Sequence, residues 1–209
     1  MAVEGVHVVD HPLAQVRLSV MRDQETSTAA FSAAVQELAS IVFLEASRNL
    51  ESKRTRVQTP LASTNGAVIK REIGLVPILR AGLGMLEGAR QWVPESTVGF
   101  LGMARDEKTF EADVYLDKVP SKLGQAEVFI LDPMLATGGS ALSAVKVVRS
   151  KGAKRITLVH LLASPEGIQR VREEEPDLPI YTASIDKKLT PNAFIYPGLG
   201  DAGDRQFNT

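Results

Sequence analysis

An α/β fold, with a mostly parallel central sheet flanked by helices, is what three features of this 209-residue sequence predict. Ile73–Leu79, residues 128–131 and residues 156–163 are short, nearly unbroken apolar runs, the habit of strands buried on both faces. Amphipathic stretches separate them, so the chain reads as a succession of βα units, which a parallel sheet accommodates. The run Val128-Phe129-Ile130-Leu131 ends in Asp132 and a short loop, and Thr137-Gly138-Gly139-Ser140 then opens an amphipathic helix over 141–151. Asp132 thus falls at the carboxyl end of a buried strand, where open α/β sheets place their ligands.

Composition sets the outer limits. The length suits one domain, 1–209, large enough to bury roughly 70% of its unfolded surface. The near balance of 24 basic and 25 acidic residues leaves a net charge of -1, so no overall pull toward nucleic acid or an acidic membrane is expected. Absence of cysteine excludes disulfides, Cys-based zinc sites and thiol chemistry, and suits a cytoplasmic setting. Residues 1–9 lack the basic region and apolar core of a signal peptide, and no apolar run approaches the ~18 residues of a membrane span. His7, His11 and His160 are scattered and form no metal-ligand set; His160, inside an apolar run, reads as a hydrogen-bonded core residue.

Taken in order, His11-Pro12 opens a first helix, with Pro where a missing N–H costs little. Thr26-Ser27-Thr28 offers an N-cap to a second helix, without the Glu or Gln of a capping box. Phe31, Val35, Leu38 and Val42 give that helix an apolar stripe, which Ile41 and Leu44 widen. Residues 53–59 alternate weakly, and Asn65-Gly66 predicts a hairpin turn. The cations there (Lys53, Arg54, Arg56, Lys70, Arg71) suit RNA or, the better reading, a solvated ribbon assisting dimer contacts. The strand Ile73–Leu79 stops at Arg80-Ala81-Gly82-Leu83-Gly84, before a helix over 85–90. That turn is either a tight structural turn or a second phosphate loop, in which the planar fork of Arg80 would hold two oxygens.

A third strand over 97–103 leads through Arg105 into residues 106–120, where Phe110, Ala112, Val114 and Leu116 alternate with polar residues as in a two-stranded arm. The helix after Ser140 turns Leu142, Val145 and Val148 inward and stops at Arg149-Ser150-Lys151-Gly152. Residues 156–163 are a further buried strand, Pro165–Glu174 a short polar helix, and residues 180–184 a last strand. Residues 194–204 are too glycine-rich to be core and present backbone groups that can read the edge of a flat heterocycle.

The Thr137–Ser140 turn has the makings of an anion seat. Helix N-termini carry unpaired N–H groups and partial positive charge, the two glycines let a phosphate approach, and the two hydroxyls add donors. A P-loop is excluded because no Lys follows Gly138-Gly139. Gly198-Leu199-Gly200-Asp201-Ala202-Gly203 spells a dinucleotide fingerprint, but no helix or second strand is expected after it.

The whole stretch 128–140 resembles the 5-phosphoribosyl 1-diphosphate (PRPP) motif of the type I phosphoribosyltransferases: apolar strand, acid, short loop, Thr-Gly-Gly-Ser/Thr. Most of that superfamily has a second acid after the first and another before the Thr, where this chain has Pro133 and Ala136. Asp-Pro-Met-Leu-Ala-Thr-Gly-Gly-Ser resembles the uracil phosphoribosyltransferase branch. So do Pro-Ile-Leu-Arg-Ala-Gly-Leu-Gly-Met at 77–85 and Ile-Tyr-Pro-Gly-Leu-Gly-Asp-Ala-Gly-Asp at 195–204.

The resemblance spans residues 11–204 and implies the type I phosphoribosyltransferase fold, with a β-arm and a C-terminal base-binding hood. It implies transfer of the phosphoribosyl group to N1 of uracil, giving uridine monophosphate (UMP) and diphosphate. PRPP would be held by Arg80, Arg105, Asp132, Pro133, Met134, Leu135, Ala136, Thr137, Gly138, Gly139, Ser140 and Asp201, and uracil by Ile195, Gly200, Asp201 and Ala202. Arg105 and Asp201 would be catalytic, Asp201 accepting the N1 proton or orienting Mg2+-bound water. Mg2+ would bridge diphosphate and ribose oxygens, with no protein ligand cluster of its own. A GTP effector and a homodimer or higher homo-oligomer belong to the same expectation. An RNA-binding regulator on this fold, or a transferase for another base, remain the alternatives at this point.

Overall fold

The computed structural model describes residues 5–105 and 112–209, without the side chains of Arg105 and Ala112. The chain opens with β1 (Val6–Val8) and two helices, α1 (Pro12–Arg22) and α2 (Thr28–Ala46). A ribbon of β2 (Ser52–Gln58) and β3 (Ser63–Ile69) leads to β4 (Ile73–Leu79), α3 (Gly82–Arg90), β5 (Thr97–Val98), β6 (Phe100–Arg105) and β7 (Ala112–Lys118). Then come β8 (Glu127–Leu131), β9 (Met134–Leu135), α4 (Gly139–Ser150), β10 (Arg155–Val159), β11 (Leu162–Ala163), α5 (Pro165–Glu174) and β12 (Ile180–Thr182). The chain closes with β13 (Ser184–Ile185), β14 (Lys188–Leu189), β15 (Ile195–Tyr196) and α6 (Ala202–Phe207).

The main sheet runs β1-β12-β10-β8-β4-β6-β7, with β5 also beside β4. Every pairing in it is parallel except β6 with β7. Alternate residues of each strand face opposite layers, as the pleat requires. Leu75, Phe129, Leu131 and Val159 pack with α1, α2 and α3, while Val76, Ile130, Ile156 and Leu158 pack with α4 and α5. Strands covered on both faces explain the unbroken apolar runs. The order also fixes where a ligand belongs. After β4 the chain adds neighbours on one side, β5 and β6; after β8 it adds them on the other, β10 and β12. The crevice between the carboxyl ends of β4 and β8 is therefore a topological switch point.

Three strands pause at this rim and resume. β8, β10 and β12 continue after one or two residues as β9, β11 and β13, which form a small parallel sheet in the same order. Pro133 lies in the first break; the N–H groups of Leu161 and Leu162 both donate to its carbonyl, each at 3.0 Å. Thus the strand expected over 156–163 is two strands, split at His160-Leu161, and the one expected over 180–184 is split at Ala183. Uniform hydrophobicity hides such a break. The strand expected over 97–103 is likewise divided, at Gly99.

The ribbon corrects a second expectation. Asn65-Gly66 is not its turn but lies within β3, opposite Arg56 and Thr55. The turn is Thr59-Pro60-Leu61-Ala62, where the Thr59 hydroxyl accepts from the N–H groups of Leu61 and Ala62 at 3.2 and 3.0 Å. Pro60 has no N–H to offer a ladder, so the strand ends there. Of the ribbon's cations, Lys70 pairs with Glu51 and Arg71 with Glu51 and Glu127, which weakens the RNA reading. The arm expected over 106–120 begins earlier: its first strand is β6, of which only Leu101 and Gly102 face β4, and it pairs with β7 out to Arg105 opposite Ala112. Residues 106–111, Phe110 among them, lie outside the described residues.

Helix α2 is capped by Ser27 as expected, and Phe31, Val35, Leu38 and Val42 are fully buried; Leu44, assigned to the stripe, is instead exposed. By length and composition α2 alone, among the described residues, could cross a membrane, yet eight of its side chains lie in the core. α3 starts at Gly82 rather than Met85. Glycine is a poor helix former, but a Cβ at Gly82 would stand 2.5 Å from the Leu131 carbonyl oxygen. Only glycine lets the loop after β4 approach the end of β8 so closely. The glycine-rich tail, expected to stay out of the core, contributes to it. Ile195, Leu199 and Ala202 join the core, and the short α6 follows.

Candidate active site

Three loops meet at the switch point. The first follows β4: Arg80 ends it, exposed, and Ala81-Gly82 turn into α3. The second follows β8: Asp132, the short β9, then Ala136 to Ser140 at the start of α4. The third is the C-terminal loop from Ala193 to Gly203. A cavity of about 290 Å3 is lined by Ala81, by Asp132, Met134 and Ala136, and by Phe194, Ile195, Gly200, Asp201 and Ala202. A smaller concavity, lined by Asp132 and residues 134–141, adjoins it and shares Asp132, Met134 and Ala136. Larger surface hollows exist, one of about 600 Å3 around His7, Glu45, Arg48 and Tyr181. None of the three loops lines that hollow, so size alone does not mark the site.

The second loop is built to present N–H groups. Gly138, the N-cap of α4, has φ 79°, a left-handed conformation that glycine adopts without strain. The first N–H groups of any helix lack an intrahelical acceptor. The loop's carbonyls, in contrast, are drawn away from the site. Ala136 C=O accepts from the Ser164 hydroxyl at 2.6 Å, and Leu135 C=O from the Ser164 N–H at 2.9 Å. Ser164 also caps α5, accepting from Gly167 N–H at 2.9 Å. One buried serine thus fixes the turn after β9 to a neighbouring helix, a role nothing in its local sequence announces.

Behind Asp132 stands His160, fully buried, with Nδ1 2.7 Å from the Asp132 carbonyl oxygen. A carbonyl only accepts, so Nδ1 carries the hydrogen, and Nε2 is left without a partner among the described residues. Burial pushes the imidazole down from 6.5 to about 4, against the raising effect of that hydrogen bond. This sign has a consequence for stability. The unfolded histidine binds a proton below its ordinary 6.5 while the folded one does not, so stability is intact above 6.5 and falls as pH drops toward 4. That gap corresponds to about 3 kcal/mol. Urea midpoints for wild type should therefore drop more between those pH values than for His160→Asn, which keeps a donor but cannot titrate; equal slopes would contradict this.

The remaining expected residues are placed as follows. Arg80 donates to Asp204 Oδ1 at 3.1 Å and to the Thr209 hydroxyl at 3.2 Å, and it stands outside the cavity lining. Asp204 was not singled out as its partner. Arg105 ends β6; its side chain lies outside the described residues. Asp201 is exposed, caps α6, and accepts from Asp204 N–H at 2.9 Å. Pro133 does not line the cavity; it is buried with its carbonyl turned to β11. Met134, Leu135, Ala136, Thr137, Gly138, Gly139 and Ser140 all line the smaller concavity. Among the described residues no three His, Cys, Asp or Glu cluster as a metal cage. The acids at the cavity are Asp132 and Asp201, a set that fits an ion held chiefly by ligand oxygens and water.

The model of the family described as uracil phosphoribosyltransferase matches residues 8–209. The uracil phosphoribosyltransferase of Salinibacter ruber is 49% identical over 206 residues, covering 99% of this chain and 98% of the relative. That of Thermosipho melanesiensis is 47% identical, covering 98% and 99%. Among solved structures, the AQ2163 protein from Aquifex aeolicus is 36% identical and superposes with a TM-score of 0.93 over 97% of each chain. Adenine phosphoribosyl transferase from Trypanosoma brucei, 14% identical with a TM-score of 0.58 over 96% of this chain and 90% of its own, shares the fold alone. With the loops at the switch point and a family match over nearly its whole length, the chain belongs to the uracil phosphoribosyltransferase family.

Proposed function

We propose that this chain transfers the 5-phosphoribosyl group of PRPP to N1 of uracil, giving UMP and diphosphate. The observation that carries the reading is the single cavity joining Asp132, Met134 and Ala136 of the phosphate turn to Ile195, Gly200, Asp201 and Ala202. A nucleotide needs that arrangement: a phosphate seat and a flat-base wall either side of a ribose.

In the reaction the N1–C1′ bond forms, the bond from C1′ to diphosphate breaks, and the N1 proton departs. Positive charge builds on the ribose in between. Residues 136–140 hold the 5-phosphate through backbone N–H groups and the hydroxyls of Thr137 and Ser140, and Asp132 accepts from the ribose hydroxyls. Arg80 exchanges Asp204 for the diphosphate, and Arg105 joins it from the arm. Asp201 accepts the N1 proton or orients water beside the diphosphate. Mg2+, if bound, would be oriented through its water by Asp201 and would supply charge neutralisation for the leaving group. With so few acids and bases present, positioning and charge stabilisation carry the rate.

The ribbon supports a homodimer or larger assembly, since Val57, Leu61, Val68 and Ile69 are all exposed on it. Regulation by GTP and a cytoplasmic setting belong to the same reading. The test is a panel of labelled uracil, adenine, hypoxanthine and guanine, each with PRPP. Nucleotide from uracil alone is expected; nucleotide from a purine, with none from uracil, would overturn the assignment.

A further inference from the structure

The base loop is held by a device that lies outside the cavity. Arg22, the last residue of α1, donates to both carboxylate oxygens of Asp186, at 2.7 and 2.6 Å. Arg22 also donates to the Gly198 carbonyl at 2.9 Å, and Asp186 accepts from the Gly198 N–H at 2.8 Å. The four bonds close around one residue of the loop. Next along, the Leu199 carbonyl accepts from Arg205 at 2.8 Å, and Arg205 reaches the carbonyls of Met21 and Asp23 at the end of α1.

The loop therefore divides its peptide groups. Both peptide groups of Gly198 and the Leu199 carbonyl are spent on this inner network, and neither residue lines the 290 Å3 cavity. Gly200, Asp201 and Ala202 follow directly and do line it. The cation is also misplaced for an ordinary helix end. A basic residue in a last turn favours its own helix's carbonyls, but Arg22 turns to Asp186 and leaves those carbonyls to Arg205. Asp186 has only 4% of its side chain exposed. Burial alone would raise its carboxyl, but the Arg22 pair and the Gly198 N–H outweigh it and hold the group below the usual carboxylate range.

We propose that Arg22 and Asp186 are positioning residues that fix the Gly198 peptide groups and thereby set how tightly residues 200–202 bind uracil. The inference rests on the reading that this loop holds the base. Neither residue touches the cavity, so the pair acts on substrate only through the loop's geometry. PRPP, held largely by the turn after β8, should be little affected.

Single variants risk leaving one buried charge unpaired, so the test uses the double variant Arg22→Met with Asp186→Asn, which removes both charges. Initial rates with uracil and PRPP varied separately, and melting temperatures, are measured for the double variant, for wild type and for Ala202→Val, which adds two methyl groups to the cavity wall. The expected result is a KM for uracil raised about tenfold or more, a KM for PRPP within about twofold of wild type, and a melting temperature near that of wild type. A parallel rise in both KM values, or no rise in either, would overturn the proposal. If Ala202→Val raises the uracil KM and the double variant does not, the clamp is wrong while the base-loop reading stands. If neither variant raises it, the base-loop reading fails and the clamp falls with it. An Arg22→Lys variant adds a check, because one ammonium cannot span both Asp186 oxygens and Gly198 as the guanidinium does; wild-type uracil KM in that variant would also count against the clamp.

Discussion

Cytosine should be converted less efficiently than uracil in kcat/KM, by as much as ~10⁴–10⁵-fold. Uracil offers a donor at N3 between acceptors at O2 and O4; cytosine makes N3 an acceptor and position 4 a donor. Of the residues proposed to read this edge, Ile195, Gly200 and Ala202 have no polar side chain, and Asp201 already spends a carboxylate oxygen on Asp204 N–H. The readers are therefore mostly peptide groups, and an N–H cannot become an acceptor, nor a C=O a donor. Each reversed contact loses roughly 1–3 kcal/mol, because a buried polar group is left facing its own kind. 5-Fluorouracil leaves that edge unchanged and should be accepted. The measurement is kcat/KM for the three bases on one preparation; cytosine within about tenfold of uracil would show that the loop does not read the edge.

Asp132→Asn should lower kcat/KM for PRPP by about 10- to 100-fold with the fold intact. The exchange places an amide donor where the ribose hydroxyls need an ionised acceptor, and a charge-assisted bond of that kind is worth ~1.5–3 kcal/mol. Structure argues that the loop itself will survive, because His160 grips the Asp132 carbonyl rather than its side chain. Melting temperature should therefore stay close to wild type while PRPP affinity falls. Unchanged PRPP kinetics would remove Asp132 from the ribose.

Much of the fold is legible in the sequence. β4 and α5 have the bounds expected of them, Ile73–Leu79 and Pro165–Glu174, and Asp132 sits at a strand's carboxyl end as the pattern required. The turn that opens α4 is visible because its requirement is local: small residues and hydroxyls at a helix start. What stayed hidden depends on contacts between distant segments. Arg22 and Asp186 are 164 residues apart, and each reads locally as a solvated charge. Nothing local to Ser164 shows that it also holds Ala136. The short strands β9, β11 and β13 are invisible because two residues give no period. Asn65-Gly66 misled for the opposite reason: a strong turn signal lost to the competing Thr59-Pro60 turn, which left both residues in the ladder.

The account's central claim is that the turn after β8 seats the phosphate while the C-terminal loop reads the base, in one cavity. The most direct test is a crystal structure of the protein with UMP bound. The account predicts the 5′-phosphate against the N–H groups of residues 136–140, the ribose hydroxyls at Asp132, and the uracil edge hydrogen-bonded to backbone groups of residues 195–202. A phosphate seated on Arg80 instead, or a base held by side chains outside that loop, would contradict it.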